Sequence, residues 1–229
     1  MNHTLSFESR LVEWSDRHAM LMLLAIGGLW FQVPPELLAA MAAASFLGLI
    51  RQFHREWTPA RVFGAANAVT LARLAGTFFL LLFPIENGWF LAALALIILN
   101  ADGVDGWLAR RRGLSSAFGE CFDNEVDAFF FLCLCVLVYK RADLGSWVLF
   151  PGALRYLFVL YIRVAGPPRR VAAGNRLTRV VSVIAFIVFI LCLLPVDLYC
   201  ASAAATATAA LCISFLYSLI QLYRPTVPE

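Results

Sequence analysis

The residues of this chain best suited to chemistry are four aspartates in the stretch 102–127, which reads DGVDGWLARRRGLSSAFGECFDNEVD. Asp102 and Asp105 are three residues apart and Asp123 and Asp127 are four apart, so on helices each pair projects from one face. Both pairs adjoin long apolar runs, where carboxylates are costly unless they are paired, hydrated or bound to cations. Carboxylates converging from two adjacent helices would form a hard oxygen-ligand site for one or two divalent cations, with Mg2+ or Mn2+ the best fit.

Small residues and one cation accompany the aspartates. Gly106 has no side chain, so a bulky group can approach the helix backbone there. Ala109 has only a methyl group and leaves the same face of the helix accessible. Arg110 falls at the predicted helix end, where a guanidinium can hold a phosphate or pair with a carboxylate of the site. Gly119 offers a second close approach one turn before the second pair. A single aspartate here would more often be a helix cap or a structural ion pair, but four in register with the glycines favour a functional site.

The composition predicts a polytopic membrane protein. Hydrophobic residues make up 62% of the 229 residues and charged residues 14%, which is too apolar for a soluble domain of this size. None of the six cysteines forms a C-x-x-C pair and the three histidines are scattered, so a zinc site has little support. The fold class we predict is all-α, a membrane helical bundle with a six-helix core preceded by an amphipathic helix and a short hairpin.

The first 61 residues are predicted to form a separate N-terminal part. Residues 1–18 alternate apolar and charged positions, which is typical of an amphipathic helix lying at the membrane surface. Two short apolar runs, 19–33 and 36–50, are divided by Pro34-Pro35 and favour a tilted or partly inserted hairpin. The polar linker 51–61 follows, and its Thr58-Pro59 pair indicates a helix start.

Residues 62–229 are predicted to form the core domain. Gly, Pro and Asn punctuation divides its apolar sequence into six spans, and Ser115 or Ser116 can cap the third. The spans cover about 62–83, 89–110, 117–139, 146–165, 178–194 and 199–222.

The distribution of basic residues predicts the orientation. Most arginines outside the first helix lie at the ends of predicted spans that face the same side of the membrane. The loops PIENG and PVDLY on the opposite side have no basic residue, and Lys140 and Arg141 are the exceptions on that side. The positive-inside rule then places both termini and the aspartates at the cytoplasmic face, and we expect a bacterial inner membrane. The arginines that indicate the cytoplasmic side are Arg51, Arg55, Arg61, Arg110, Arg111, Arg112, Arg163, Arg169, Arg170, Arg176 and Arg224.

The full pattern D-x-x-D-G-x-x-A-R, eight residues, then G-x-x-x-D-x-x-x-D resembles the signature of the CDP-alcohol phosphatidyltransferase family. Every fixed position is present at the family's spacing, and the resemblance covers about residues 62–222. It implies that an alcohol attacks the phosphorus of a CDP-linked donor and releases CMP. It also implies two ions of Mg2+ or Mn2+ held mainly by Asp102, Asp105 and Asp123, with Asp127 as general base and as a further metal contact.

Two further sets of residues take roles from this resemblance. Asn67, Thr70 and Arg73 read N-x-x-T-x-x-R on the first core span and are similar to the family's segment that contacts the CDP moiety; interhelix hydrogen bonds are the alternative. Gly106, Ala109, Arg110 and Gly119 belong to the same donor-binding set. The segment GNRLTR at 174–179 lies where family members carry a basic, Gly-containing turn near the acceptor. Arg155, Arg176 and Arg179 fall near span ends or within spans, where the expected partner is a substrate phosphate or a carboxylate of the site. A basic loop facing lipid headgroups is the competing interpretation, and it is favoured for Arg169 and Arg170.

The identity of the acceptor rests on small sequence differences. Family members that use phosphorylated acceptors commonly have a basic residue after the last aspartate, where this chain has Ala128. The segment GECFD at 119–123 is similar to choline and ethanolamine phosphotransferases, but Asn124 follows it, as in bacterial phosphatidylcholine synthases. The resemblance favours a CDP-diacylglycerol donor and a small alcohol acceptor. Transfer from a CDP-aminoalcohol to a lipid alcohol is the alternative.

Two rivals come from other classes of protein. A divalent-cation channel or transporter would account for the carboxylates, but not for Gly106, Gly119 or the N-x-x-T-x-x-R segment. A catalytically silent scaffold would not require all four aspartates.

The partners we expect are the CDP-linked lipid donor, the alcohol acceptor and membrane lipids, without nucleic acid. Many family members dimerise, so the resemblance keeps a homodimer open.

Overall fold

The computed structural model describes residues 6–112, 116–166, 176–196 and 199–223, with only the backbone for 102–112 and 176. Helix accounts for 82% of the chain, and the described residues contain no strand. Long apolar segments bounded by Pro and Gly explain this, because helices satisfy all backbone hydrogen bonds internally. The helices are α1 (Phe7–Trp30), α2 (Pro35–Gln52), α3 (Ala65–Leu82), α4 (Gly88–Arg112), α5 (Ala117–Arg141), α6 (Phe150–Ala165, after a 3-10 turn at Ser146–Leu149), α7 (Arg176–Leu191) and α8 (Cys200–Tyr223).

The predicted six-span core is present as α3 to α8, and the prediction of an all-helical membrane bundle is confirmed. The predicted and observed ends differ by a few residues. Gly145 and Gly166, at φ 80° and 85°, lie at the two ends of the segment that contains α6, where a left-handed backbone favours glycine. α3 packs along α4 and α5, and α7 packs along α8.

The N-terminal segment differs from the prediction in one respect. The expected helix end at residue 18 was wrong, because α1 continues without a break from Phe7 to Trp30. No Pro or Gly interrupts the sequence near residue 18, so nothing stops the helix there, whereas α2 begins at Pro35 as the Pro34-Pro35 break predicts.

The amphipathic part of α1 packs on protein. Leu11 and Trp14 are buried, and the Trp14 indole donates to the Ser45 carbonyl at 3.2 Å. The buried apolar side chains of α1, and those of α2 from Leu38 onwards, belong to one hydrophobic cluster with residues of α5 and α6. The division of the chain at residue 61 stays a prediction.

The linker before α3 is irregular, so the helix start expected at Thr58-Pro59 was wrong. α3 begins at Ala65, directly after Gly64 with φ 78°. The Thr58 hydroxyl donates to the Val62 carbonyl at 2.7 Å and closes a turn instead of capping a helix.

Three helical segments among the described residues are long and apolar enough to cross a membrane, namely Ala65–Leu82, Ser146–Ala165 and Cys200–Tyr223. The apolar parts of α4 and α7, Gly88–Ala101 and Leu177–Leu191, are shorter. α4 ends, and α5 begins, in the stretch that carries the aspartates, which lowers the hydropathy of both helices.

Arg141 has a structural role that accounts for a basic residue at the end of the bundle where the loops otherwise lack arginine. It ends α5 and donates to the carbonyls of Ile85 and Glu86, the latter at 3.0 Å. These carbonyls lie in the loop between α3 and α4, so Arg141 fastens that loop to the end of α5.

Candidate active site

The centre of the candidate site is an ion-pair cluster between α3 and α5. Arg73 on α3 donates through Nη1 to Asp123 Oδ1 at 2.7 Å, and through Nη2 to Asp127 Oδ1. The Arg73 side chain is 2% exposed, whereas the carboxylates are 34% and 36% exposed. The buried guanidinium therefore fixes two aspartates that remain open to approach from outside the bundle.

The second aspartate pair behaves as its spacing predicts. Asp123 and Asp127 are one turn apart on α5, and one guanidinium reaches both of them, so they share a face. Two carboxylates fixed side by side supply the hard oxygen atoms that Mg2+ and Mn2+ prefer, so these residues fit a metal site.

The first aspartate pair lies on α4, which packs alongside α3. The side chains of Asp102 and Asp105 lie outside the described part of the structure, as do those of Ala109 and Arg110 and the surroundings of Gly106. Among the side chains that are described, no group of three or more His, Cys, Asp or Glu could hold a metal ion. The four-carboxylate site stays a prediction.

The N-x-x-T-x-x-R residues share one buried face of α3, as predicted. Asn67, Thr70 and Arg73 are all buried. The Asn67 amide donates to the Phe63 carbonyl at 2.7 Å and to the Trp57 carbonyl at 3.3 Å, and the Thr70 hydroxyl donates to the Ala66 carbonyl at 3.2 Å. Their contact with a nucleotide stays a prediction.

Gly119 makes a close approach between α5 and α3. A Cβ at this position would lie 2.9 Å from Asn67 Oδ1 and 3.3 Å from Ser116 Oγ, which is too close for unaltered packing. Ser116 caps α5 by accepting from the Gly119 backbone N–H at 3.0 Å, and its hydroxyl donates to the Trp57 carbonyl at 2.6 Å. The predicted cap is therefore Ser116, and the glycine brings α5 against α3 one turn before Asp123.

A cavity of about 230 Å³ opens beside Asp127 between α5, α6, α7 and α8. Its lining is mainly apolar, with Asp127, Arg155 and Ser182 among the polar members. The full lining is Asn124, Asp127, Ala128, Phe131, Pro151, Gly152, Arg155, Ser182, Phe186, Leu211 and Phe215.

The three predicted acceptor arginines are placed differently. Arg155 lines the cavity with Asp127, and it also pairs with Glu125 at 3.0 Å. Arg179 is an exposed residue of α7 and does not line the cavity. Arg176 is the first residue of α7, and its side chain is not described.

Sequence reasoning assigned no role to Glu125, which is buried between α1, α5 and α6 and pairs with Arg155. The signal was its position: it is one of the six acidic residues of the stretch 102–127, lies near an apolar run and is outside the fixed positions of the motif. Ser182 was also missed, because a hydroxyl within an apolar helix gives no distinctive pattern.

The fold and its paired carboxylates define a helical integral membrane protein with a polar site between its helices. The chain belongs to the CDP-alcohol phosphatidyltransferase family, whose model matches residues 63–218. This match spans α3 to most of α8 and leaves α1 and α2 outside it. The family match supports a membrane phosphotransferase as the general class of activity, without indicating the substrates.

One relative is the inner membrane protein YnjF of Escherichia coli strain K12, which is 41% identical over 70 residues. That stretch is 28% of this chain and 34% of the relative, so the match spans about a third of that protein's length. No solved structure gives a significant match.

Proposed function

We propose that this protein transfers a phosphatidyl group from CDP-diacylglycerol to a small alcohol and releases CMP, as a step of phospholipid synthesis. The observation that supports this most is the Arg73 cluster with Asp123 and Asp127, which lies within the family match and beside a cavity. An acidic site at the membrane boundary suits a reaction whose lipid substrate comes from the bilayer and whose other substrate comes from water.

The reaction we propose is a single displacement at phosphorus. The acceptor oxygen attacks the phosphorus that bears the diacylglycerol, a new P–O bond forms, and the bond to the CMP oxygen breaks. The acceptor proton passes to the Asp127 carboxylate, and CMP leaves with the bonding electron pair. In a loose transition state the hydroxyl proton is lost late, so a weakly basic group such as a carboxylate can accept it.

The donor is held by residues from three helices in this proposal. Asn67 and Thr70 face the nucleotide, and the charge of Arg73 lies beside its pyrophosphate while also orienting the carboxylates. Gly106, Ala109 and Arg110 would form the α4 side, and Gly119 the close approach on α5. Asp102, Asp105, Asp123 and Asp127 would hold divalent cations, which supply charge neutralisation at the leaving CMP when bound.

The cavity beside Asp127 is the place we propose for the acceptor alcohol. Its volume of about 230 Å³ suits a small molecule, and its lining combines aromatic and aliphatic side chains with a few polar groups, as is usual for small-molecule sites. Arg155 supplies one positive group at its wall.

From the distribution of basic residues along the sequence, we propose that this site and both termini face the cytoplasm of a bacterial cell.

The test is to incubate the purified protein with CDP-diacylglycerol, Mg2+ or Mn2+ and a panel of alcohols, and to identify the lipid product by mass. We expect CMP release that depends on one alcohol and stops when a chelator removes the divalent cation. A parallel arm offers CDP-choline or CDP-ethanolamine with diacylglycerol, and product only there would establish the aminoalcohol alternative. Absence of CMP in every arm, with cation flux in vesicles, would favour the transporter alternative and contradict the proposal.

A further inference from the structure

The N-terminal helix α1 contacts the family core through one buried carboxylate, that of Glu125. The Ser15 hydroxyl on α1 donates to Glu125 Oε1 at 2.9 Å, and Arg155 Nη2 on α6 donates to the same oxygen at 3.0 Å. The Glu125 side chain is 1% exposed, and Oε2 makes no hydrogen bond within the described part of the chain. Ser15 and Arg155 are therefore the described partners of this carboxylate.

Glu125 lies on a different side of α5 from the aspartates. It is two residues from both Asp123 and Asp127, and two residues correspond to about 200° around an α-helix. α5 thus presents Asp123 and Asp127 to Arg73 on α3, and Glu125 to α1 and α6. The described contact that leads from Glu125 towards the cavity is its ion pair with Arg155.

Arg155 connects this buried contact to the cavity. Its side chain is partly exposed and lines the cavity together with Asp127, while its guanidinium is tied to Glu125. A long arginine side chain has many rotamers, so a fixed partner is needed to keep its charge at one place on the cavity wall.

A second ion pair fastens the same part of α1 to α6. Asp16, next to Ser15, accepts from Arg163 Nη1 at 2.5 Å, and Arg163 lies two turns after Arg155. The Asp16 side chain is 7% exposed. The register of α1 against α6 is therefore set independently of Ser15, so removing the Ser15 hydroxyl leaves the helix in place.

We propose that Ser15 and Glu125 are positioning residues that hold Arg155 at the wall of the cavity beside Asp127. The helix α1, which lies outside the family match, then helps to set the affinity for the acceptor. This inference rests on the proposed function for its link to an acceptor alcohol, but the positioning itself is measurable without any substrate.

The kinetic test compares Ser15→Ala with Ser15→Thr, which restores a hydroxyl, and with Ser9→Ala, a matched change at an exposed serine of the same helix. We expect Ser15→Ala to raise the acceptor KM roughly three- to tenfold, the size of one weakened charged hydrogen bond, with kcat and the donor KM within about twofold. Ser15→Thr should recover most of the loss and Ser9→Ala should change nothing. A lower kcat together with similar increases in the acceptor KM and the donor KM would indicate general damage to the protein and overturn the proposal.

The substrate-free test measures how fast Arg155 reacts with phenylglyoxal, quantified by mass spectrometry, with the exposed Arg179 as internal reference. We expect Ser15→Ala to raise the Arg155 rate relative to Arg179 and Ser15→Thr to restore it. Unchanged Arg155 reactivity would overturn the proposal whether or not the protein releases CMP. If the wild-type protein releases no CMP but the reactivity changes as expected, the proposed function fails and the positioning stands.

Discussion

Arg73 and Asp123 are joined by a 2.7 Å ion pair between α3 and α5, although fifty residues separate them in the sequence. The same guanidinium also holds Asp127, so one buried cation sets the spacing of both carboxylates. A buried charge is tolerated only with such partners. The pairing links the N-x-x-T-x-x-R segment of α3 to the aspartate motif of α5 as one unit.

We predict that Arg73→Lys lowers CMP release about a hundredfold. Lysine keeps the charge but lacks the fork that reaches two carboxylates, and a loss of about 3 kcal/mol at the transition state corresponds to that factor. The control is Arg17→Lys, because Arg17 pairs with Glu13 at the surface of α1, where an ion pair contributes about 0–1 kcal/mol. Wild-type rates in Arg73→Lys would contradict the role of the paired geometry.

Asp123→Asn should abolish transfer while the protein stays folded. The amide oxygen still accepts from Arg73, but the negative charge that a divalent cation requires is gone, so we expect at least about a hundredfold loss of activity. Asp143→Asn is the matched control, because Asp143 is exposed and has φ 46°, a conformation that asparagine also tolerates. Activity and size-exclusion profile in detergent are the measurements, and near-normal turnover of Asp123→Asn would count heavily against the mechanism.

The core of the fold could be predicted from the sequence because its signals are strong and local. Long apolar segments give the helices, and Pro, Gly and Asn mark their ends, so α3 to α8 were placed within a few residues. α1 was misjudged because its composition changes near residue 18 although its backbone does not. A change from an amphipathic to an apolar sequence alters the surroundings of a helix without ending it.

The candidate site was only partly predictable, because its contacts depend on tertiary packing. Spacing alone showed that Asp123 and Asp127 share a face, but not that Arg73 reaches both of them. The link between Ser15 and Glu125 joins residues 110 positions apart, and no periodicity in the sequence indicates such a pair. Arg155 was selected as an acceptor residue from its position, and only the structure shows its neighbours.

Gly119→Ala is expected to reduce both stability and activity. The added methyl group would lie 2.9 Å from Asn67 Oδ1. Either the Asn67 amide then loses its hydrogen bonds to the carbonyls of Phe63 and Trp57, or α5 moves away from α3 and shifts Asp123 relative to Arg73. Overpacking of this kind costs about 1–3 kcal/mol. Gly48→Ala is the control, because a Cβ there meets nothing within 4 Å and a helical Gly→Ala change stabilises by up to about 1 kcal/mol. Thermal unfolding in detergent and CMP release measure both effects; an unaltered Gly119→Ala protein would show that the close approach is dispensable.

The cavity beside Asp127 is tested by filling it from α7, away from the carboxylates. Ser182→Leu adds apolar volume to a lining that already contains Phe186 and Leu211, so folding should be preserved while the space for an acceptor shrinks. We expect the acceptor KM to rise about tenfold, equivalent to about 1.4 kcal/mol of lost binding, with a larger effect for bulkier alcohols and little change in the donor KM. Val183→Leu is the matched control, since Val183 is the next residue of α7, is exposed and does not line the cavity. If Ser182→Leu and Val183→Leu gave the same acceptor KM as the wild type, the acceptor would have to bind elsewhere, and the cavity would lose its place in the mechanism.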